Sequence, residues 1–409
     1  MKVNGLAELI DGAPLVVCLG PGGVGKTTLS AVTALHQAAM GRRALVLTVD
    51  PAKRLADALG IAGLTNDPVE VSSFQRMHLG GSLHALMLDP TATFDHMVSM
   101  LMSDPERRAK LLANRFYQSM SRSLAGTLEY MAVERLHALV EGGRFEAIVL
   151  DTPPTTNALD FLEAPDRLAT FFSEKVTRWF MPAPRDKKAS WTSRLFSKAG
   201  SSALSLLGRI AGDEFVEETT GFFGAFADLL GGFRARGLEV GKLLRDPRTV
   251  FLIVCAPDAN RLAEAKQIDR RLAEAGCRAH GFVVNRVNEP FLPAEGELEG
   301  AVERATSLLG GEGERVRVRI FMERLETMRK AHESSAASHA QVVESLRAYA
   351  SPRPVFTAPS VPAGQSPRAS LLALYVGLFA GGAAPAAVAA VADDREQARL
   401  SLGRRATDA

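Results

Sequence analysis

The chain has 409 residues, 46% of them hydrophobic, and 48 Lys and Arg stand against 46 Asp and Glu for a formal net charge of +2. That balance supplies no global field to recruit nucleic acid or an acidic membrane, while the apolar share is enough for the core of one large domain or two ordinary ones. Three cysteines, Cys18, Cys255 and Cys277, are too dispersed for a C-x-x-C zinc pair or a disulfide framework.

Residues 1–12 contain acidic side chains and no long apolar core, so they do not read as an export signal, and the cytoplasm is the expected compartment. The apolar run Leu15–Leu19 then enters Gly20-Pro-Gly-Gly-Val-Gly-Lys-Thr-Thr28, and Leu29–Met40 follows with a helical pattern. Gly20, Gly25, Lys26 and Thr27 fit the phosphate-loop pattern G-x-x-x-x-G-K-[ST] in its required strand, turn and helix context. With so little side-chain bulk, the backbone N–H groups across Gly20, Gly22, Gly23, Val24 and Gly25 can converge on a polyphosphate, and the helix that follows directs its positive end at it. Lys26 is positioned to reach the β- and γ-phosphates, and the Thr27 hydroxyl to meet Mg²⁺. A nucleotide polyphosphate with Mg²⁺ is therefore the expected ligand.

Ala44–Val49 reads as the second strand of a right-handed βαβ unit, and Asp50-Pro51-Ala52-Lys53-Arg54-Leu55-Ala56-Asp57 follows at the sheet edge where α/β proteins bind ligands. Leu83–Leu88 is a further strand. The region from Thr91 to Gly143 is helical in pattern and rich in methionine, with Met97, Met100, Met102, Met120 and Met131 read as core filling rather than ligand contacts. Ala147–Leu150 is a strand ending in Asp151-Thr152-Pro153-Pro154. An acid at that position, in a chain already carrying a phosphate loop, is where the second Mg²⁺-side carboxylate belongs.

From Ala158 to Leu244 the pattern is helical and unusually apolar, broken by the basic link Pro182-Ala183-Pro184-Arg185-Asp186-Lys187-Lys188. Strands at Val250–Cys255, Ala279–Val284 and Val355–Thr357 alternate with helices at Asn260–Ala275, Glu297–Leu309 and Ile320–Ala350, with a turn at Gly310-Gly311-Glu312-Gly313. Residues 369–392 carry no charge, but Gly381, Gly382 and Pro385 interrupt them, which favours a short buried helix near 367–379 and a flexible tail over a membrane anchor.

The expected fold is thus α/β: a phosphate-loop NTPase with a mostly parallel central sheet flanked by helices, plus an inserted helical subdomain. One domain is expected over 1–380, with its core in 14–90, 145–160 and 248–380, the helical subdomain in about 91–144 and 158–246, and an Ala/Gly/Pro-rich tail over 381–409.

Four separated segments, Gly20–Thr28, Thr48-Val-Asp-Pro-Ala-Lys-Arg-Leu55, Asp151-Thr-Pro-Pro-Thr155 and Val283-Val-Asn-Arg-Val287, resemble the ArsA and tail-anchored-protein-targeting ATPases, relatives of MinD and the nitrogenase iron protein. The resemblance covers about residues 14–375. It implies that Lys26 and Thr28 bind phosphate and Thr27 coordinates Mg²⁺. It further implies that Asp50 orients the attacking water, Asp151 acts through Mg²⁺-bound water, and Asn285 reads the adenine edge. The implied protein is a cytoplasmic ATPase, working as a homodimer or with a homologous subunit, whose apolar helices between Phe161 and Phe233 handle a hydrophobic client or membrane partner. An anion-pump subunit and a regulatory nucleotide switch are the alternatives. Three departures stand out: Pro21 replaces the family's lysine, and both the subunit-bridging cysteine pair and the metalloid-binding cysteine cluster are missing.

Overall fold

The computed structural model describes residues 5–50, 54–72, 74, 79–114, 117–118, 128–153, 232, 235–236, 238–290, 304, 312–361 and 366–379. Strands β1 (Leu15–Leu19), β2 (Arg43–Thr48), β4 (Ser82–Met87), β5 (Ala147–Asp151), β6 (Thr249–Cys255), β7 (Gly281–Val287) and β8 (Val355–Pro359) are parallel to their neighbours. A two-residue β3 (Val69–Glu70) pairs antiparallel with β4 at one edge, giving the order β3-β4-β2-β5-β1-β6-β7-β8. β1, β5 and β6 are buried along their whole length, as a parallel sheet covered on both faces requires.

The period-two alternation of these strands divides the core into two layers. Leu15, Val17 and Leu19 point to the side covered by α4 (Pro90–Leu101), α6 (Leu128–Glu141), α7 (Ala259–Glu274) and the end of α8 (Glu312–Ala350). Val16 and Cys18 point to the side covered by α1 (Leu6–Ile10), α2 (Lys26–Ala39), α3 (Arg54–Leu59) and α9 (Pro367–Phe379). Met97, Met102 and Met131 lie buried in the first layer, so this part of the methionine-rich stretch fills core, whereas Met100 is exposed. The short α5 (Pro105–Ala113) continues from α4.

Several turns are set locally. Asp89 and Asp104 cap α4 and α5, each followed by a proline at the first helical position, and Asp258 caps α7. α8 already includes Glu312 and Gly313, the second half of the expected turn at 310–313, because a single glycine in a first turn costs little against a long helix. The short α1, α3 and β3 have too few periodic residues to be seen by pattern. α9 falls where a buried helix is expected and packs on α2, α3 and β8, with Leu371, Leu374 and Tyr375 buried. No described helix is long and apolar enough to cross a membrane. The expected helical segment 158–231, most of 297–309 and the tail after Phe379 lie outside the described residues.

Register brings the chemistry together. Asp151 at the end of β5 is opposite Cys18 of β1 on one side and Thr48 of β2 on the other. The loop after β1, the acid after β2 and the acid ending β5 therefore share the carboxyl edge of the sheet.

Candidate nucleotide site

The loop from Gly20 to Gly25 is held by backbone approaches that exclude side chains. A Cβ on Gly20, whose φ is +152°, would stand 2.1 Å from the Val254 carbonyl oxygen of β6. Gly25 is the N-cap of α2 with φ +92°, and a Cβ there would stand 2.3 Å from the Asn285 side-chain nitrogen. Both positions accept only glycine. Asn285, buried on β7, donates Nδ2 to the Val24 carbonyl at 2.8 Å, while its Oδ1 accepts the Arg286 backbone N–H at 3.0 Å. Arg286 itself has φ +62° beside an irregularity in the β7–β8 ladder between Val284 and Val287, so the strand is bent where it meets the loop.

Lys26 opens α2 and folds back across the loop, donating Nζ to the carbonyls of Gly20 and Pro21 at 2.8 Å each. It is 6% exposed, and burial pulls its pKa below the usual lysine value against the opposing charge of Asp151. Thr27 and Thr28 occupy the first turn of the same helix, where free N–H groups and the helix dipole favour an anion.

Beneath the loop lies a buried polar cluster. Asp151 accepts from Thr48 Oγ1 at 2.9 Å, from Ser30 Oγ at 3.4 Å and from the Thr27 hydroxyl. Burial pushes its pKa up to about 6, with the Thr27 and Thr48 hydroxyls and the Lys26 charge pulling the other way. Thr152 donates to the Cys18 carbonyl at 2.7 Å and ties the chain after β5 to β1. Asp50 donates its backbone N–H to Thr48 Oγ1 at 3.2 Å, and its carboxylate pairs with Arg54 at 3.1 Å. Every residue expected at the site thus gathers at one edge. Sequence reading gave no role to Thr48, Ser30 or Thr152, although Thr48 and Thr152 lie inside two of the quoted segments; the register that sets Thr48 opposite Asp151 is visible only in the fold.

These groups fit Mg²⁺. The groups that donate hydrogen bonds to Asp151 are all hydroxyls, and among the described residues no group of three or more His, Cys, Asp or Glu could cage a metal. A cation that takes one or two protein oxygens and completes its shell with phosphate and water suits such a site. A soft metalloid does not. Cys18 and Cys255 lie in the two opposite core layers, with burial pushing each thiol up to about 12, and Cys277 packs against the layer containing Cys255.

Fold and site together define a phosphate-loop NTPase of the parallel α/β type. A family model described as anion-transporting ATPase, ArsA_ATPase, matches residues 14–191. ATPase GET3 of Malassezia globosa is 28% identical over 291 residues, covering 70% of this chain and 76% of that protein. ATPase GET3A of Arabidopsis thaliana is 27% identical over 271 residues, 66% of this chain and 65% of that one. An ATPase ASNA1 homolog of Cryptosporidium parvum is 28% identical over 284 residues, 69% of this chain and 67% of that one. Over these stretches the chain is similar to the ArsA and GET3 ATPases.

Proposed function

We propose that this protein is a Mg²⁺-dependent ATPase whose loop holds the phosphates of ATP and whose two acidic strand ends respond to the γ-phosphate. The observation that carries this reading is convergence: the glycine cradle, Lys26 and the carboxylates of Asp50 and Asp151 share one sheet edge, linked by hydrogen bonds. The backbone N–H groups of Gly22, Gly23, Val24 and Gly25 would face the phosphates with Thr28. Lys26 would exchange two loop carbonyls for phosphate oxygens, a change of partners that keeps its charge hydrogen-bonded throughout. Bound Mg²⁺ would neutralise phosphate charge and be held by Thr27 directly and by Asp151 through water. Asp50 would orient the attacking water, which requires its carboxylate to turn from Arg54. Asn285, anchoring the loop through Val24, would face the adenine edge from β7.

In this reading, hydrolysis relaxes the segments after Asp50 and Asp151, and the second leads through Pro153 and Pro154 into the apolar stretch 158–246. That connection, with the apolar composition between Phe161 and Phe233, supports a cytoplasmic machine that handles a hydrophobic client or membrane partner. The separation of the cysteines onto different core layers argues against arsenite activation. Pro21 contributes a carbonyl where a lysine would reach a partner's nucleotide, so a homodimer would need another cation, for which Arg54 is placed beside Asp50, and a heterodimer would receive one from a homologous subunit.

Asp50→Asn tests the assignment. It should bind ATP with a Kd within a few-fold of the parent and lower kcat at least about a hundredfold, the scale of one well-placed polar group in a transition state. Full turnover by the purified variant would remove Asp50 from the chemistry.

A further inference from the structure

The two acidic tips at the sheet edge share one hydroxyl, beside a backbone bond from the Val49 N–H to the Asp151 carbonyl at 3.3 Å. Thr48 Oγ1 donates to Asp151 Oδ2 at 2.9 Å and accepts the backbone N–H of Asp50 at 3.2 Å. Its donor and acceptor capacities are thus both used, one on each carboxylate-bearing segment. Thr48 is 1% exposed and Asp151 is equally buried, so water is poorly placed to replace either bond. β2 and β5 are adjacent, and Thr48 and Asp151 are register partners, which fixes the separation of the two side chains through the sheet itself.

We infer that Thr48 is a positioning residue that couples the segment after Asp50 to Asp151, so that a change in what Asp151 contacts is felt by the Asp50 backbone. The inference rests on the ATPase reading above. Two geometric features give it direction. Asp151 also touches Thr27 and Ser30 on α2, so rearrangement at the first turn of that helix reaches Thr48 through one carboxylate. On the other side, the Asp50 N–H bonds to Thr48 just past the end of β2, where the chain leaves the sheet. Sheet, hydroxyl and backbone amide therefore form a short relay in which no link exceeds 3.2 Å.

Valine matches threonine in shape and lacks the hydroxyl, and serine keeps the hydroxyl with less bulk, so the pair separates relay from packing. Thr48→Val should lower kcat at least tenfold with the Kd for ADP, measured calorimetrically, within twofold of the parent, while Thr48→Ser retains more than half of kcat. A second readout is independent of turnover: hydrogen exchange over residues 49–55 should slow when Mg²⁺ and ATPγS bind the parent and Thr48→Ser, and should be faster and unresponsive in Thr48→Val. Should Thr48→Val not fold, Thr48→Cys, with a weaker donor at similar volume, takes its place and should show the same loss in smaller degree. Equal impairment of the serine and valine forms, or a valine form with parental kcat and exchange response, overturns the relay. Failure of the reading it rests on looks different, since Lys26→Ala would then bind Mg-ATP normally whatever residue stands at 48.

Discussion

The two ends of α2 touch different worlds. At its first turns, Lys26, Thr27 and Ser30 meet a buried carboxylate, and Lys26 folds back onto loop carbonyls. At its far end His36 stacks on Phe379 with ring centroids 4.0 Å apart and planes 7° apart, while Gln37 donates to the Ile10 carbonyl at 2.9 Å and accepts from Arg42. The far end consists of contacts that the fold keeps. The near end concentrates charged and hydroxyl groups that burial makes costly and that a ligand would use. One helix thus divides stability from chemistry along its length, and substitutions at its two ends should separate them.

The largest effect on stability belongs to the far end. Phe379→Ala removes the ring that covers His36 and should destabilise the fold by about 3–5 kcal/mol, the range for truncating a buried aromatic to alanine. Denaturant unfolding checks this, and the nucleotide Kd should be unaltered. The near end should behave in the opposite sense. The Asp151 carboxyl is raised from 3.8 to about 6 in the fold, so above pH 6 its ionisation disfavours the folded state relative to the unfolded chain. Asp151→Asn removes that cost and should stabilise the Mg²⁺-free protein at pH 8 by about 1–3 kcal/mol while impairing turnover. The stabilisation should fade as pH falls below 6, and a less stable variant at pH 8 would show that the carboxylate is held chiefly by its hydrogen bonds.

A pH dependence at the far end is of the same order. Burial, partly opposed by Asp11, lowers His36 from 6.5 to about 4, so between these values the unfolded chain takes up a proton that the folded one refuses. Stability should therefore be full above pH 6.5 and decline by about 1–3 kcal/mol as pH falls toward 4. His36→Gln should flatten that part of the unfolding profile.

Much of this contrast was legible in the sequence, at the near end more than the far. The loop glycines, Lys26 and Thr27 are defined by backbone constraints that only those residue types satisfy, so their pattern survives as a motif. Asp50 was separable from Asp89 and Asp104 only by context: all three precede a proline, yet Asp89 and Asp104 simply cap helices, while Asp50 sits beside the phosphate loop. Thr48 and Ser30 act through register across strands and helix, which no local window records. The stacking of His36 on Phe379 joins residues more than three hundred positions apart and leaves no signal in either segment. α9 was legible as a buried helix because its apolar residues end at the glycines after 380, whereas α1, α3 and β3 are too short to have a period.

Isothermal titration with Mg-ATP, comparing the parent protein with Lys26→Ala, bears most directly on whether the loop is a phosphate site. Saturable heat with one nucleotide per chain in the parent, and at least a hundredfold weaker association in a Lys26→Ala protein that is still folded, is the predicted result. Equal binding by the two proteins, or no binding by the parent, would contradict it.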